Sequence, residues 1–290
     1  MDKITLDAPA KLNLWLEVYN RRPDGYHEIF TVMHSVGLYD TVELELISSG
    51  VTLECEYDGN AGFSGGSVPC GHSNLAYRAA TAFFERVHEY EPGACGGVKI
   101  KLIKRIPAGA GMGGGSSDAG AVLRGLNLLH GNPIPIIKLR EAGRGLGADV
   151  PFCVSGGTAT ASGVGDTLGV CPAPPPFYIV IAMPHTEVRT CSAYAELDSA
   201  SGYERRRPDG FLAALEKGDR AAICAGLFNR FEDISPTAAD LKTRFKELGA
   251  AGACMTGSGS AVFGLFNDLT DASKAEKLLQ DETKFARLCK

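Results

Sequence analysis

None of the nine cysteines of this 290-residue chain stands in a Cys-x-x-Cys pair. They fall singly at Cys55, Cys70, Cys95, Cys153, Cys171, Cys191, Cys224, Cys254 and Cys289. An odd count without paired spacing argues against both a zinc site and a disulfide framework. Their mostly small or apolar neighbours fit reduced, buried thiols. Basic excess is missing too: a net charge of -5 argues against a broad nucleic-acid surface. The opening Met1-Asp2-Lys3-Ile4-Thr5-Leu6 lacks the basic start and apolar core of a signal peptide, and no apolar run approaches membrane-spanning length. No internal repeat and no long disordered tract interrupts the chain. These absences predict a soluble, cytoplasmic globular protein with no nucleic-acid or membrane partner.

What is present reads first as strands. Lys3 to Asp7 alternates, Leu12-Leu14-Leu16-Val18 does so strictly, and Thr41 to Ile47 and Val51 to Tyr57 follow. Asn20-Arg21-Arg22-Pro23-Asp24-Gly25-Tyr26-His27 supplies Pro-Asp-Gly turn chemistry between them. Gly59 to Gly71 reads as a loop, and Asn74 to Glu89 as an amphipathic helix with Ser73 as its N-cap. Further strands are predicted at 158–164, 177–183 and 261–266. Further helices are predicted around 138–144, 192–197, 211–216 and 238–248, and from Asp271. A change of texture after residue 155, with a proline run at 172–176, predicts two α+β lobes, 1–160 and 161–290.

The segment richest in chemistry is Ile106-Pro107-Ala108-Gly109-Ala110-Gly111-Met112-Gly113-Gly114-Gly115-Ser116-Ser117-Asp118. It follows the alternating strand Val98 to Lys104 and precedes a helical pattern from Ala119 to Leu129. Strand, glycine loop and helix aim backbone N–H groups and a positive helix end at an anion, typically phosphate. Ser116 and Ser117 can cap the helix or touch phosphate oxygens. Gly114 is followed by Gly115 rather than lysine, so a Walker A motif is absent. Gly109-x-Gly111-x-x-Gly114 satisfies the dinucleotide fingerprint. The second strand with an acidic end, expected about twenty positions on, is replaced by the proline-broken His130 to Pro135. Lys99, Lys101, Lys104 and Arg105, just before the loop, read as the solvated face of the strand.

Three other segments carry polar residues in apolar settings. Lys11 and Asn13, two apart, share one face of a strand, and the ordinary reading is a half-exposed strand. Asp149, within Gly147-Ala148-Asp149-Val150-Pro151-Phe152, is either a helix cap or a functional acid. Thr256-Gly257-Ser258-Gly259-Ser260 is either a second anion-binding nest or a plain turn entering a strand.

Taken together, Pro9-Ala10-Lys11-Leu12-Asn13-Leu14, the Asp24-Gly25-Tyr26-His27 turn, the glycine loop, the Asp149 segment and the turn at Thr256 resemble the GHMP kinase superfamily. The order and spacing of these segments span nearly the whole chain, and the Asp-Gly-Tyr-His turn resembles the kinases of the non-mevalonate isoprenoid route. The resemblance implies a two-lobed α+β fold, an N-terminal ATP-binding lobe beside a C-terminal lobe, with the active site in the cleft between. It implies an ATP-dependent kinase using Mg2+ that phosphorylates a cytidine diphosphate-linked methylerythritol, a monomer or weak homodimer. Asp149 would be the general base and Lys11 its partner. Pro107, Ala108, Gly109, Ala110, Gly111, Met112, Gly113, Gly114, Gly115, Ser116 and Ser117 would wrap the ATP phosphates, with Asn74 and Leu75 near the adenine. Asn13, Tyr26 and His27 would hold the substrate, with Tyr194 a second ring on the cytosine, and Thr190, Gly257 and Ser258 on the substrate side. Ala108 and Ala110 stand where the family more often carries glycine, which demands negative φ at both. Asp118 stands where asparagine is common and reads as a dipole-stabilised cap in the first helical turn.

Overall fold

The computed structural model describes residues 2–59, 69–91, 96–186, 190–200 and 204–289. Most of the loop read at Gly59 to Gly71, and Cys95, lie outside them. Its elements follow in order as β1 (Lys3–Arg21), β2 (His27–Ile47), β3 (Gly50–Tyr57), α1 (Leu75–Val87), β4 (Gly97–Lys104), α2 (Gly114–Leu129), α3 (Ile136–Arg144) and α4 (Val150–Ser155). Then come β5 (Thr158–Ser162), β6 (Thr167–Val170), β7 (Tyr178–Met183), α5 (Thr190–Ser199), α6 (Asp209–Lys217), α7 (Arg220–Gly226) and β8 (Phe228–Asn229). A 3₁₀ turn (Arg230–Ile234), α8 (Pro236–Glu247), β9 (Gly252–Met255), β10 (Val262–Phe266), α9 (Leu269–Glu282) and β11 (Phe285–Cys289) complete the described chain. No helix among the described residues is long and apolar enough to cross a membrane.

The chain divides into two units, each built from segments that alternate along the sequence. One comprises Met1–Lys11, Leu38–Ala108 and Gly113–Gly156. Within it β3 lies parallel to β4, with Val51 beside Val98 and Tyr57 beside Lys104. β4 is antiparallel to the second half of β2, with Thr41 opposite Ile103 and Leu46 opposite Val98. The inward residues of these strands, among them Val42, Leu44, Val98, Ile100 and Leu102, meet Ala79 and Phe83 of α1 and Val122 and Leu126 of α2 in one core. Gly120 lets α2 approach α4, since a Cβ there would sit 2.7 Å from the backbone of Cys153.

The other unit comprises Leu12–Gly37, Gly109–Met112 and Gly157–Lys290. Here β5 pairs antiparallel with the first half of β2, and β8 pairs parallel with the second half of β1 through Trp15 and Phe228. A separate sheet runs β11-β7-β10-β9. Its inner residues, including Val180, Met255, Val262 and Phe266, pack with Leu241 and Phe245 of α8 and Leu279 of α9.

Several local expectations change. Leu12, Leu14, Lys11 and Asn13 are all buried, so β1 is covered on both faces rather than half exposed. Lys99 and Lys101 are surface residues paired with Glu54 and Glu56, as read, but Lys104 is buried. It keeps the even phase of Val98, Ile100 and Leu102, and that phase faces inward. The N-cap of α1 is Asn74, whose side chain accepts from Ala76 N–H, and not Ser73. Helix α2 begins at Gly114, so Asp118 lies beyond the first turn and is no cap.

Candidate active site

The glycine loop leaves β4 on a fixed footing. Asp40 Oδ1 accepts from the backbone N–H groups of Arg105, at 2.5 Å, and Ile106, at 2.9 Å. Positive φ then recurs at Gly109 (70°), Gly111 (78°) and Gly113 (69°). Asn132 is the sole non-glycine residue with positive φ among those described, so Ala108 and Ala110 meet the negative-φ condition. Gly113 caps α2 in left-handed geometry, and the first intrahelical bond runs from Ser117 N–H to Gly113 O. The N–H groups of Gly114, Gly115 and Ser116 precede that bond and head the positive end of the helix. Ser117 does not cap; its hydroxyl donates to Pro9 O at 2.6 Å and ties the helix to β1.

Lys11 and Asp149 meet beside this helix start. Lys11 Nζ, 4% exposed as a residue, lies 3.4 Å from Asp149 Oδ2. A Cβ on Gly113 would come within 3.0 Å of Lys11 Cγ and 3.6 Å of Asp149 Oδ2, so the end of the loop touches both. Asp149 occupies the N-cap position of α4 but makes no side-chain cap bond. Its carboxylate remains available for the lysine. Asn74 is committed on both sides of its amide, to Ala76 N–H and, through Nδ2, to Pro69 O at 2.8 Å. Leu75 lies 3.6 Å from where a Cβ on Gly115 would stand.

In the other unit, Asn13 organises the second glycine turn. Its Nδ2 donates to Thr31 Oγ1 at 2.8 Å and its Oδ1 accepts Gly257 N–H at 2.9 Å. Asn229 Nδ2 holds the same turn through the carbonyls of Met255 and Gly257. The tip of the glycine loop rests on it: a Cβ on Gly111 would lie 2.2 Å from Thr256 O. Ser258 Oγ donates to Thr190 Oγ1 at 2.9 Å. His27 is buried, stacks on Tyr194 with centroids 4.7 Å apart and 24° between planes, and places Nε2 2.7 Å from Asp198 Oδ1. Tyr194 in turn stands edge-on to Phe231. Tyr26, at the turn tip, is 64% exposed.

Sequence reasoning missed Asp198, Thr31 and Asn229, which carry no local signal. It also missed a buried cluster. Lys104 Nζ donates to both Asp40 Oδ2 and Asp118 Oδ2. Burial pushes the Asp118 carboxyl up to about 7, Asp40 adding to the shift and Lys104 opposing it. Burial disfavours the charge on Lys104, but the two carboxylates outweigh it and raise its pKa. No group of three or more His, Cys, Asp or Glu side chains suited to a metal occurs among the described residues.

A glycine loop heading a helix, with a lysine–carboxylate pair at its end, is an arrangement whose chemistry suits the handling of phosphate. Residues 74–157 match the GHMP kinases N terminal domain and residues 211–282 the GHMP kinases C terminal domain, and the chain belongs to the GHMP kinase family. Members of that family use ATP. A 4-diphosphocytidyl-2-C-methyl-D-erythritol kinase from Caldicellulosiruptor saccharolyticus is 40% identical over 95% of this chain and 92% of its own. One from Geobacter sulfurreducens is 37% identical over 99% and 98%. A crystal structure of 4-(cytidine 5'-diphospho)-2C-methyl-D-erythritol kinase superposes with a TM-score of 0.79 at 36% identity, covering 99% of this chain and 98% of that one. A homoserine kinase from Cytophaga hutchinsonii shares the fold, with a TM-score of 0.74 at 22% identity.

Proposed function

We infer that this chain transfers the terminal phosphoryl group of ATP to the 2-hydroxyl of 4-diphosphocytidyl-2-C-methyl-D-erythritol, a step of non-mevalonate isoprenoid precursor synthesis. The observation that carries the chemistry is the Lys11–Asp149 pair against Gly113. Asp149 Oδ2 takes the proton of the acceptor hydroxyl as its oxygen bonds to the γ-phosphorus. The bond from that phosphorus to the bridging oxygen breaks, and ADP leaves with the electron pair. Lys11 pairs with Asp149 and offsets negative charge on the transferred group. N–H groups at the head of α2 cradle the polyphosphate, and Asn74 and Leu75 lie on the adenine side. Mg2+ would neutralise phosphoryl charge there, held chiefly by the phosphates themselves and by water.

Substrate recognition falls to Asn13, Tyr26, His27, Thr190, Tyr194, Gly257 and Ser258. In this reading residues 1–160 form the ATP-binding lobe and 161–290 the substrate lobe, although segment 12–37, with Asn13, Tyr26 and His27, packs with the latter. The enzyme works in the cytoplasm as a monomer or weak homodimer. A coupled ADP-release assay with the cytidine substrate beside homoserine and mevalonate tests the reading. Turnover of the cytidine substrate alone supports it, and preference for either of the others sinks it.

A further inference from the structure

Two carboxylates and one ammonium group meet in the interior of the unit that carries Lys11 and Asp149. Asp40, Lys104 and Asp118 are all buried, and Asp118 Oδ1 accepts no hydrogen bond among the described residues. If both acids were ionised the cluster would carry one uncompensated negative charge, which an apolar interior disfavours strongly; taking up a proton removes it. The cluster also spans both ends of the glycine loop. Asp40 holds the backbone of Arg105 and Ile106 where the loop begins, Lys104 ends β4, and Asp118 belongs to α2 where the loop ends. Asp118 lies four residues past Gly114, about 6 Å along the helix from the N–H group that heads it.

We propose that Asp118 is a positioning residue for ATP, its carboxyl holding one proton beside Asp40 and the Lys104 ammonium so that the ground beneath the glycine loop is neutral. This rests on the ATP reading of the loop. With the proton present, the cluster holds the two ends of the loop and adds no field opposing the polyphosphate. When the proton is lost, a buried negative charge appears one turn behind the phosphate-binding N–H groups, and ATP binding weakens. The raised pKa of Asp118 puts that loss in the neutral range. The other groups facing the cluster do not compete there. The Cys55 and Tyr57 groups on β3 and Cys153 on α4 are pushed up by burial and remain uncharged, and the Arg105 guanidinium is turned to Asp58 at 2.8 Å.

The test is the pH dependence of KM for ATP and of kcat in the wild type and Asp118→Asn, at saturating magnesium, from about pH 6 to about pH 9. Asparagine keeps the shape, can still accept from Lys104 and cannot ionise. KM for ATP should rise roughly tenfold more across that range in the wild type than in the variant, with the pH profile of kcat alike in both. A folded Asp118→Asn enzyme whose KM curve tracks the wild type overturns the proposal. Infrared spectroscopy of the wild type needs no variant. At about pH 6, where ordinary carboxylates are ionised, the carbonyl stretch of a protonated buried carboxyl should be present, and it should fade by about pH 9. Its absence at the lower pH overturns the protonated Asp118 carboxyl. A KM for ATP that ignores substitution at Gly109 would remove the ATP reading, and this inference with it, while leaving the infrared band in place.

Discussion

Asn13 Oδ1 accepts the backbone N–H of Gly257 at 2.9 Å, joining a strand near one end of the chain to a turn 244 residues later. The same amide donates to Thr31 Oγ1, so one side chain holds a strand, its neighbour and the second glycine turn in register. Asn13→Ala strands the buried Gly257 donor, at a cost of about 1–3 kcal/mol. The urea midpoint should fall with its slope unchanged, and KM for the cytidine substrate should rise. An unaltered midpoint would show that the turn keeps its shape without Asn13.

Asp149→Asn retains the size of the carboxylate but cannot take up the hydroxyl proton. Turnover should fall by roughly 10²–10⁴-fold while the binding of both substrates changes little. Lys11→Met should lose a similar amount. Because Lys11 Nζ and Asp149 Oδ2 are 3.4 Å apart, the double variant should be scarcely worse than either single one. Rapid-quench single turnovers measure this without interference from product release. Multiplicative losses would mean the two residues act separately.

The glycines of the phosphate loop should answer differently to one added methyl group. Gly111 has φ of 78° and its Cβ would strike Thr256 O, so Gly111→Ala should destabilise the fold by roughly 2–4 kcal/mol. Gly109 has φ of 70° but nothing within 4 Å of a Cβ. Gly109→Ala should cost only the left-handed backbone strain, about 1–2 kcal/mol, while raising KM for ATP. Thermal unfolding beside ATP titration separates the two. Equal loss of stability at both sites would contradict the local geometry.

Much of the frame was legible because its elements obey local periodicity. The alternation of Leu12 to Val18 and of Val98 to Lys104 marks β1 and β4, and the glycine loop marks the strand-to-helix junction. The first half of β2 was not, since His34, Ser35 and Gly37 break its pattern and its partner β5 lies more than a hundred residues away. Lys11 and Asn13 read as half exposed because alternation shows which residues share a face and not what covers it. Starting α2 at Ala119 rather than Gly114 put Asp118 in the first turn, where an acid caps, instead of past it, where it is buried against Lys104. Within the candidate site, the motif-bearing residues carry a local signal that can be read from the sequence. Their supports, Asp40, Asp198 and Asn229, carry none, because each acts through contacts distant in sequence.

His34 makes stability depend on pH. Its Nδ1 lies 2.7 Å from Thr158 Oγ1, and burial lowers its pKa below the ordinary histidine value. As pH falls below about 6.5, the unfolded chain takes up a proton that the native imidazole still resists, so stability declines until the native group is also protonated. Between about pH 7 and about pH 5.5 the urea midpoint of the wild type should therefore drop more than that of His34→Gln. Parallel curves would remove His34 from the acid sensitivity of the fold.

The last prediction concerns base recognition. His27 and Tyr194 are stacked 4.7 Å apart, and Asp198 Oδ1 holds His27 Nε2, whereas Tyr26 stands largely in solvent at the turn tip. One face of the Tyr194 ring is therefore given to His27, and its effect on a cytosine should pass through the orientation of that imidazole. Stacking of an aromatic ring on a base is worth about 1–3 kcal/mol by alanine substitution, or roughly ten- to a hundredfold in affinity. Tyr26→Ala, His27→Ala and Tyr194→Ala should each raise KM for the cytidine substrate and leave that for ATP nearly unchanged. Their combinations discriminate further. His27 and Tyr194 act as one unit, so the double variant at these positions should fall well short of the product of the single losses, while Tyr26→Ala should multiply with either. Full additivity between His27 and Tyr194 would mean that the stack does not transmit binding energy. No loss specific to the cytidine substrate at any of the three would detach these rings from base recognition and leave the His27–Tyr194 stack a packing contact alone.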